Sequence, residues 1–145
     1  MSELELRLAA SEEDVLKVLV VRGIVFIEEQ EVDWEGEIDE FEKTATHFLG
    51  EVGGQPVATG RLRHLKDGWV KLERIAVRPR WRGAGHAGRM VAFMMDHARA
   101  RGARKFKMHA QVHLEDFYGG FGFRREGDVF EECGIDHLLM VREDD

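Results

Sequence analysis

Residues Leu72 to Gly88 constrain this chain more than any other segment, because they join an apolar strand to a helix through a glycine-rich turn. The segment reads Leu-Glu-Arg-Ile-Ala-Val-Arg-Pro-Arg-Trp-Arg-Gly-Ala-Gly-His-Ala-Gly. The glycines Gly83, Gly85 and Gly88 leave the turn without side chains, and the first N–H groups of the following helix lack partners within that helix. An anion can satisfy those groups, and the helix dipole adds roughly 0.3–1 kcal/mol to that preference. The segment therefore predicts a phosphate-binding turn.

Two common phosphate-binding motifs do not fit this turn. The spacing Gly83-x-Gly85-x-x-Gly88 matches the dinucleotide fingerprint, but that fingerprint follows its strand at once and precedes an acidic residue by about 20 positions. Here residues 78–82 intervene, and residues 103–108 carry no carboxylate. A Walker loop also fails, because no Gly-Lys-Ser/Thr follows the turn.

The remaining pattern is Arg80-x-x-Gly83-x-Gly85 after the strand end Ile75-Ala76-Val77. It resembles the acetyl-coenzyme A signature of the GNAT superfamily of N-acetyltransferases. A second segment, residues 108–123, resembles that superfamily's late strand, short helix and Tyr-x-x-x-Gly-Phe element, with Tyr118 at the tyrosine. Residues 25–30 and 130–137 are similar to one small bacterial branch whose acceptors are mostly unassigned.

Length, charge and cysteine content limit the classes of protein. At 145 residues, the chain is expected to form one domain over residues 1–145. A formal charge of −7 argues against nucleic acid as the main partner. The lone Cys133 cannot form an internal disulfide, residues 1–5 lack signal-peptide features, and no apolar run approaches the roughly 18 residues of a membrane span. We therefore expect a cytoplasmic location, no membrane partner and no metal site, and homodimer formation is left open.

Hydrophobic periodicity predicts the order β-α-β-β-β-α-β-α-β-β. The predicted elements are a strand at 4–9, a helix from the cap Ser11 to about 21, strands at 46–52, 55–64 and 69–77, a helix at 84–100, a strand at 106–112, a short helix at 114–119, and an antiparallel pair at 121–126 and 136–142. The resemblance implies an α/β (α+β) fold with a mixed central sheet of six to seven strands and about four helices. It also implies a splayed parallel pair of strands at the acetyl-CoA site.

The resemblance implies that acetyl-CoA is the co-substrate and CoA the product. The strand end would bind the pantetheine arm, and the backbone of the turn would bind the pyrophosphate. The residues expected at this site are Ile75, Ala76, Val77, Arg80, Arg82, Gly83, Ala84, Gly85, His86, Ala87, Gly88, Gln111, Phe117 and Tyr118.

The expected reaction is acetyl transfer to a primary amine of a small molecule or peptide by direct attack. Such an amine needs a base, because only about one alkylammonium in 2,500 is neutral at pH 7. Glu73 is the preferred base, and an ordinary cross-strand ion pair is its alternative. Tyr118 is the preferred acid toward the leaving thiolate, and packing among phenylalanines is its alternative.

The acceptor side is predicted from an acidic segment over residues 28–42. Glu28 and Glu29 could recognise a cationic amine or, as the runner-up to Glu73, deprotonate it through water, and His109 and His113 could flank it. A merely solvated acidic loop is the alternative for the carboxylates, and a structural role is the alternative for the histidines. The competing functional class is a CoA-binding regulator without catalytic activity.

Overall fold

One mixed sheet of seven strands organises the protein, and the computed structural model describes residues 3–145. The strands are β1 (Leu4–Leu8), β2 (Thr46–Val52), β3 (Gln55–His64), β4 (Trp69–Val77), β5 (Lys105–Gln111), β6 (Arg124–Glu132) and β7 (Ile135–Glu143). Their order in the sheet is β1-β2-β3-β4-β5-β7-β6, and among these described strands only β4 and β5 pair in parallel. The mixed sheet confirms the predicted fold class.

Within residues 3–145, four α-helices accompany the sheet: α1 (Glu12–Arg22), α2 (Trp34–Glu37), α3 (His86–Arg99) and α4 (Glu115–Gly119). The side chain of Ser11 caps α1 by accepting the backbone N–H of Asp14 at 3.1 Å, as predicted. A wider, π-helical turn over Gly23–Glu29 extends α1. This turn and α2 were not predicted.

The two faces of the sheet receive different helices because successive side chains of a strand point to opposite sides. On one face, α3 buries Met90, Val91, Met94 and Ala98, so these methionines belong to the core. Gly60 of β3 lies against Met94 on this face. On the other face, Val21 of α1 and Val25 of the π-helical turn pack against Ala76.

Strands β4 and β5 diverge before they end. Their parallel register runs from Trp69–Lys105 to Leu72–Met108, although β4 continues to Val77 and β5 to Gln111. A bulge contributes, because the pairing of β3 with β4 shifts register around Arg74, whose φ of 51° is left-handed. The divergence is the predicted splay.

Two predicted boundaries were wrong. Residues 121–123 lie in a turn after α4, and β6 instead covers Arg124–Glu132. Nearly all of β6 is exposed at the edge of the sheet, so its sequence carries no apolar alternation. Helix α3 begins at His86 rather than Ala84, because Gly85 has a left-handed φ of 82°. Within residues 3–145, no helix has the length and apolar character needed to cross a membrane.

Candidate active site

The glycine turn presents unpaired backbone donors. Gly83 and Gly85 have φ values of 87° and 82°, which favour glycine, and a Cβ added at either position would meet no atom within 4 Å. Gly85 precedes α3, and no side chain caps the first turn of this helix. The first-turn N–H groups therefore border open space, where an anion could accept from them.

A small pocket of about 240 Å³ adjoins this turn. Of the residues predicted to bind the co-substrate, it is lined by Val77, Arg82, Gly83, Gly85, His86, Ala87, Gly88 and Phe117. The buried Nδ1 of His86 has no hydrogen-bond partner among residues 3–145, which is unusual for a buried polar atom. Open backbone donors and an unsatisfied ring nitrogen fit a polar, anionic ligand.

Two arginines stand beside the turn in different ways. Arg80 is exposed and lies over the ring of Trp81, 4.7 Å from its centroid. Arg82 donates from Nε to the carbonyl of Val77 at 2.9 Å and from both Nη atoms to Glu29 at 2.6 Å. The hydrogen bond from Arg82 lowers the pKa of Glu29. Glu29 thus pairs with the phosphate turn rather than standing free for an acceptor.

A larger cavity of about 940 Å³ opens where β4 and β5 diverge. It shares four lining residues with the small pocket: Val77, Arg82, Ala87 and Phe117. The other predicted site residues that line it are Glu29, Glu73, Ile75, Ala76, His109, Gln111, His113 and Tyr118. Glu28, Arg80 and Ala84 line neither space, although Arg80 and Ala84 belong to the turn segment.

Tyr118 borders this cavity with a buried ring. The ring packs edge-on against Phe117, with centroids 5.0 Å apart, and against Phe123 at 6.5 Å. Burial raises the pKa of Tyr118 to about 12, and its hydroxyl makes no hydrogen bond within residues 3–145. The hydroxyl therefore stays protonated at neutral pH and is free to donate a hydrogen bond.

The carboxylate of Glu73 is held by three cations. It accepts from Arg61 Nε at 2.7 Å and from Arg63 Nη2 at 2.8 Å, and Lys71 Nζ lies 3.3 Å away. Burial alone would raise the pKa of Glu73, but the hydrogen bond from Arg63 and the charges of Arg61 and Lys71 outweigh it and lower the pKa. A carboxylate so stabilised is a weak proton acceptor, so the geometry favours the ion-pair alternative. Its role as base stays a prediction.

In the acidic segment after α1, four of the nine carboxylates pair with arginines, one of them being Glu29 with Arg82. The buried Arg22 pairs with Glu37 at 2.8 Å and Glu42 at 2.7 Å, and the buried Arg61 pairs with Asp39 at 2.8 Å. Among residues 3–145, five carboxylates and five cationic side chains line the large cavity: Glu29, Glu37, Asp39, Glu73 and Glu132, and Arg61, Arg63, Lys71, Arg74 and Arg82. The cavity wall is therefore balanced in charge rather than strongly acidic.

Gln30, Glu132 and His137, which sequence reasoning missed, complete the far wall beside the predicted residues His109 and Gln111. Gln111 donates to Gln30 Oε1 at 3.0 Å, which links the end of β5 to the end of the π-helical turn. His109 Nδ1 lies 3.1 Å from Glu132, and His137 Nε2 lies 3.8 Å from the same carboxylate. The alternation Phe130-x-Glu132 and Ile135-x-His137 around a two-residue turn was the signal that places these side chains on one face.

Comparison with known proteins settles the family. Residues 11–143 match the family model described as the acetyltransferase (GNAT) domain. The chain belongs to the GNAT family. This GNAT protein is 38% identical over 137 residues to the uncharacterized N-acetyltransferase YjcF of Bacillus subtilis, and the aligned region covers 94% of this chain and 97% of YjcF. It is 30% identical over 131 residues to the protein ElaA of Escherichia coli, and the aligned region covers 87% of this chain and 85% of ElaA.

Solved structures agree with this assignment. The crystal structure of Escherichia coli ElaA superposes with a TM-score of 0.86 at 27% identity and covers 99% of this chain and 100% of ElaA. An acyl-CoA N-acyltransferase from Pseudomonas aeruginosa also gives a TM-score of 0.86, at 23% identity, and covers 98% of this chain and 99% of that one, which shows the shared fold. The GNAT protein is therefore an acyltransferase of a family that uses acetyl-CoA, as predicted.

Proposed function

We propose that this GNAT protein transfers the acetyl group of acetyl-CoA to a primary amine by direct attack of the amine on the thioester. One observation carries the proposal: the pocket at the glycine turn and the large cavity share lining residues, so a ligand held at the turn reaches Tyr118. The residues present fit acetyl-CoA, because the turn offers backbone donors to phosphates. When bound, acetyl-CoA supplies the acetyl thioester.

The proposed binding mode divides the co-substrate between two elements. The first-turn N–H groups of α3, with Arg80 and Arg82, hold the pyrophosphate. Residues Ile75–Val77 pair with the pantetheine arm, because β4 has no pairing partner in β5 beyond Leu72. Arg82 exchanges Glu29 for phosphate in this arrangement, and this exposed ion pair is of a kind that contributes little stability.

Tyr118 is the proposed acid. Its hydroxyl borders the cavity, stays protonated at neutral pH and lacks a partner among residues 3–145. It can therefore donate to the sulfur as the thioester C–S bond breaks. Phe117 and Phe123 fix the direction of the ring through their edge-on contacts.

Direct transfer also concerns Cys133, which lines the cavity and is exposed. Its neighbours in sequence are Glu131, Glu132 and Gly134, so no basic group adjoins it in the chain to activate a thiolate. We expect Cys133→Ser to keep full activity. Mass spectrometry of the protein mixed with acetyl-CoA alone should find no acetylated cysteine, and a burst of acetyl-enzyme would contradict direct transfer.

An assay of thiol release tests the function itself. Spermidine, an aminoglycoside, a lysine peptide, glutamate and glucosamine 6-phosphate form a panel of cationic and anionic amines. At least one should give CoA release above the rate of acetyl-CoA hydrolysis, with mass spectrometry confirming an N-acetyl product. Tight CoA binding with no turnover on a widened panel would instead support the regulator. The acceptor, the cytoplasmic location and the homodimer stay predictions.

A further inference from the structure

Three side chains on the β5–β7–β6 part of the sheet have no role in the proposed function so far. They are His109, Glu132 and His137, and all three line the large cavity. The antiparallel pairing sets Gln111 opposite His137 and Glu132 opposite Ile135. Because side chains two positions apart on a strand share a face, His109 lies on the face of Gln111 and His137, and Glu132 lies there with Ile135. Within residues 3–145, no three His, Cys, Asp or Glu side chains are placed to share a metal ion, so we consider this cluster as a proton-handling group.

Hydrogen bonds define which ring nitrogens carry protons. A carboxylate only accepts, so the Nδ1–H of His109 donates to Glu132 Oε1 at 3.1 Å. The Nδ1–H of His137 donates to the carbonyl of Ile135 at 2.7 Å. Each neutral ring therefore keeps a lone pair on Nε2. The hydrogen bond from His109 also lowers the pKa of Glu132, which keeps this carboxylate charged.

The position of His109 suits a role at the thioester. It follows Met108, the last β5 residue in parallel register with β4, and so it stands where the strands begin to diverge. Phe130 holds the imidazole edge-on with centroids 4.9 Å apart and stacks on His137 at 6.0 Å. By contrast, the carboxylate of Glu73, at the same level of β4, forms ion pairs with three cationic side chains.

We propose that His109 is the catalytic base of the acetyl transfer and that Glu132 is its positioning residue. This proposal rests on the proposed function. His109 Nε2 first takes one proton from the ammonium form of the amine and releases it to solvent, and it takes a second proton from the nitrogen as the N–C bond to the acetyl carbon forms. Tyr118 gives its proton to the sulfur, which keeps the electron pair of the broken C–S bond. Solvent then carries the proton from His109 back to Tyr118, and Glu132 balances the imidazolium charge in between.

Several charged or titratable groups from the surrounding elements line the same cavity as His109. They are Glu132 from β6, His137 from β7, Lys71 and Glu73 from β4, and His113 from the turn after β5. Glu132 is the one in hydrogen-bond contact with His109. Its removal should therefore change the behaviour of His109 more than removal of any of the others.

A tautomer measurement tests the arrangement without any acceptor. Long-range ¹H–¹⁵N spectra of histidine-labelled protein should show neutral His109 protonated on Nδ1. The variant Glu132→Ala should lose that preference, and Glu131→Ala, which removes an exposed neighbour outside the cavity, should retain it. Protonation on Nε2 in the wild type, or an unchanged tautomer in Glu132→Ala, would overturn the role of Glu132.

Kinetics with the fastest amine of the panel then test the base. His109→Ala should lower kcat/KM by about 10²- to 10⁴-fold, remove the acidic limb of the pH profile and recover in part with added imidazole. CoA affinity by calorimetry should stay within about twofold, because the phosphate turn is untouched, and His64→Ala, at the exposed end of β3, should behave as wild type.

The outcomes separate the two proposals. A wild-type protein that turns over no amine contradicts the proposed function. The tautomer measurement then tests the contact between Glu132 and His109 independently of catalysis. If the wild-type protein is active, either of two results contradicts the base assignment alone. One is a His109→Ala variant whose kcat/KM stays within about threefold of wild type, and the other is an acidic limb that vanishes in Glu73→Gln instead of His109→Ala.

Discussion

At the scale of single residues, the site depends on backbone conformation as much as on side-chain chemistry. Gly83 and Gly85 hold left-handed conformations that leave open space above the turn. Tyr118 contributes a hydroxyl that burial keeps protonated. In the proposed function these features act on different halves of the reaction, because the glycines would bind the co-substrate and the tyrosine would protonate the sulfur as the C–S bond breaks. Substitutions should therefore separate affinity from turnover.

Gly85→Glu should abolish CoA binding. The new side chain strains a φ of 82° and carries a carboxylate into the space where phosphate would lie. Calorimetry with CoA measures the effect. Gly54→Glu is the matched control, because Gly54 has a φ of 79° and lies in the β2–β3 turn away from the site. Equal CoA affinity in both variants would refute the assignment of the turn.

Tyr118→Phe should lower kcat by about ten- to a thousandfold, because it removes the proton donor and leaves the aromatic packing. The Kd for CoA should change little. Steady-state thiol release and calorimetry give the two values. A loss of CoA affinity that matches the loss of kcat would show a packing role alone.

At the scale of elements, the segment after α1 is fixed to the sheet by buried arginines. Arg22 is 1% exposed and holds Glu37 and Glu42, while Arg61 on β3 holds Asp39. Arg74 adds a hydrogen bond to the backbone carbonyl of Glu37 at 2.9 Å. These contacts set one wall of the cavity, so the acidic residues of this segment serve structure before recognition.

Arg22→Met should lower the free energy of unfolding by about 3–5 kcal/mol, because it leaves the buried Glu37 without its main partner. Urea denaturation measures the loss. Arg124→Met removes an exposed pair with Glu126 and should cost less than about 1 kcal/mol. Similar losses in the two variants would mean that the buried network does not hold the wall.

The sequence predicted elements wherever local periodicity and tertiary burial agree. Strands at 46–52, 55–64 and 69–77 were predicted with their observed bounds, because their side chains are packed in the sheet. The exposed β6 was misplaced, because an edge strand needs no apolar alternation. The glycine turn was recognisable because its residues are contiguous. Glu132 and His137 were missed, because antiparallel pairing brings them beside His109 from more than 20 positions away.

At the scale of the whole molecule, a net charge of −7 does not describe the cavity. Equal numbers of carboxylates and cationic side chains line it within residues 3–145. We therefore expect an amine to be selected at short range, by hydrogen-bond acceptors such as Glu132 and the Nε2 atoms of the two histidines, rather than by a long-range field.

Ionic strength should therefore matter little. For a cationic amine from the panel, kcat/KM should change by less than about threefold between low and physiological salt, because a balanced wall produces little field beyond the screening length of about 8–10 Å. Steady-state assays at two salt concentrations measure this. A steep fall of kcat/KM with salt, confined to cationic amines, would instead support recognition of the amine by the acidic segment.

The short parallel contact between β4 and β5 divides the sheet into two antiparallel halves, β1–β4 and β5–β7–β6. Within the described residues, four register pairs form this seam, fewer than in the neighbouring β3–β4 and β5–β7 pairings. A ligand that bridges the seam should act as an extra strand for the sheet. Backbone amides of residues 73–77 and 109–111 should exchange with deuterium more slowly when CoA is present, while those of β1 and β2 stay unchanged. The cleft that binds the co-substrate would then also be the place where the co-substrate stabilises the contact between the two halves of the sheet.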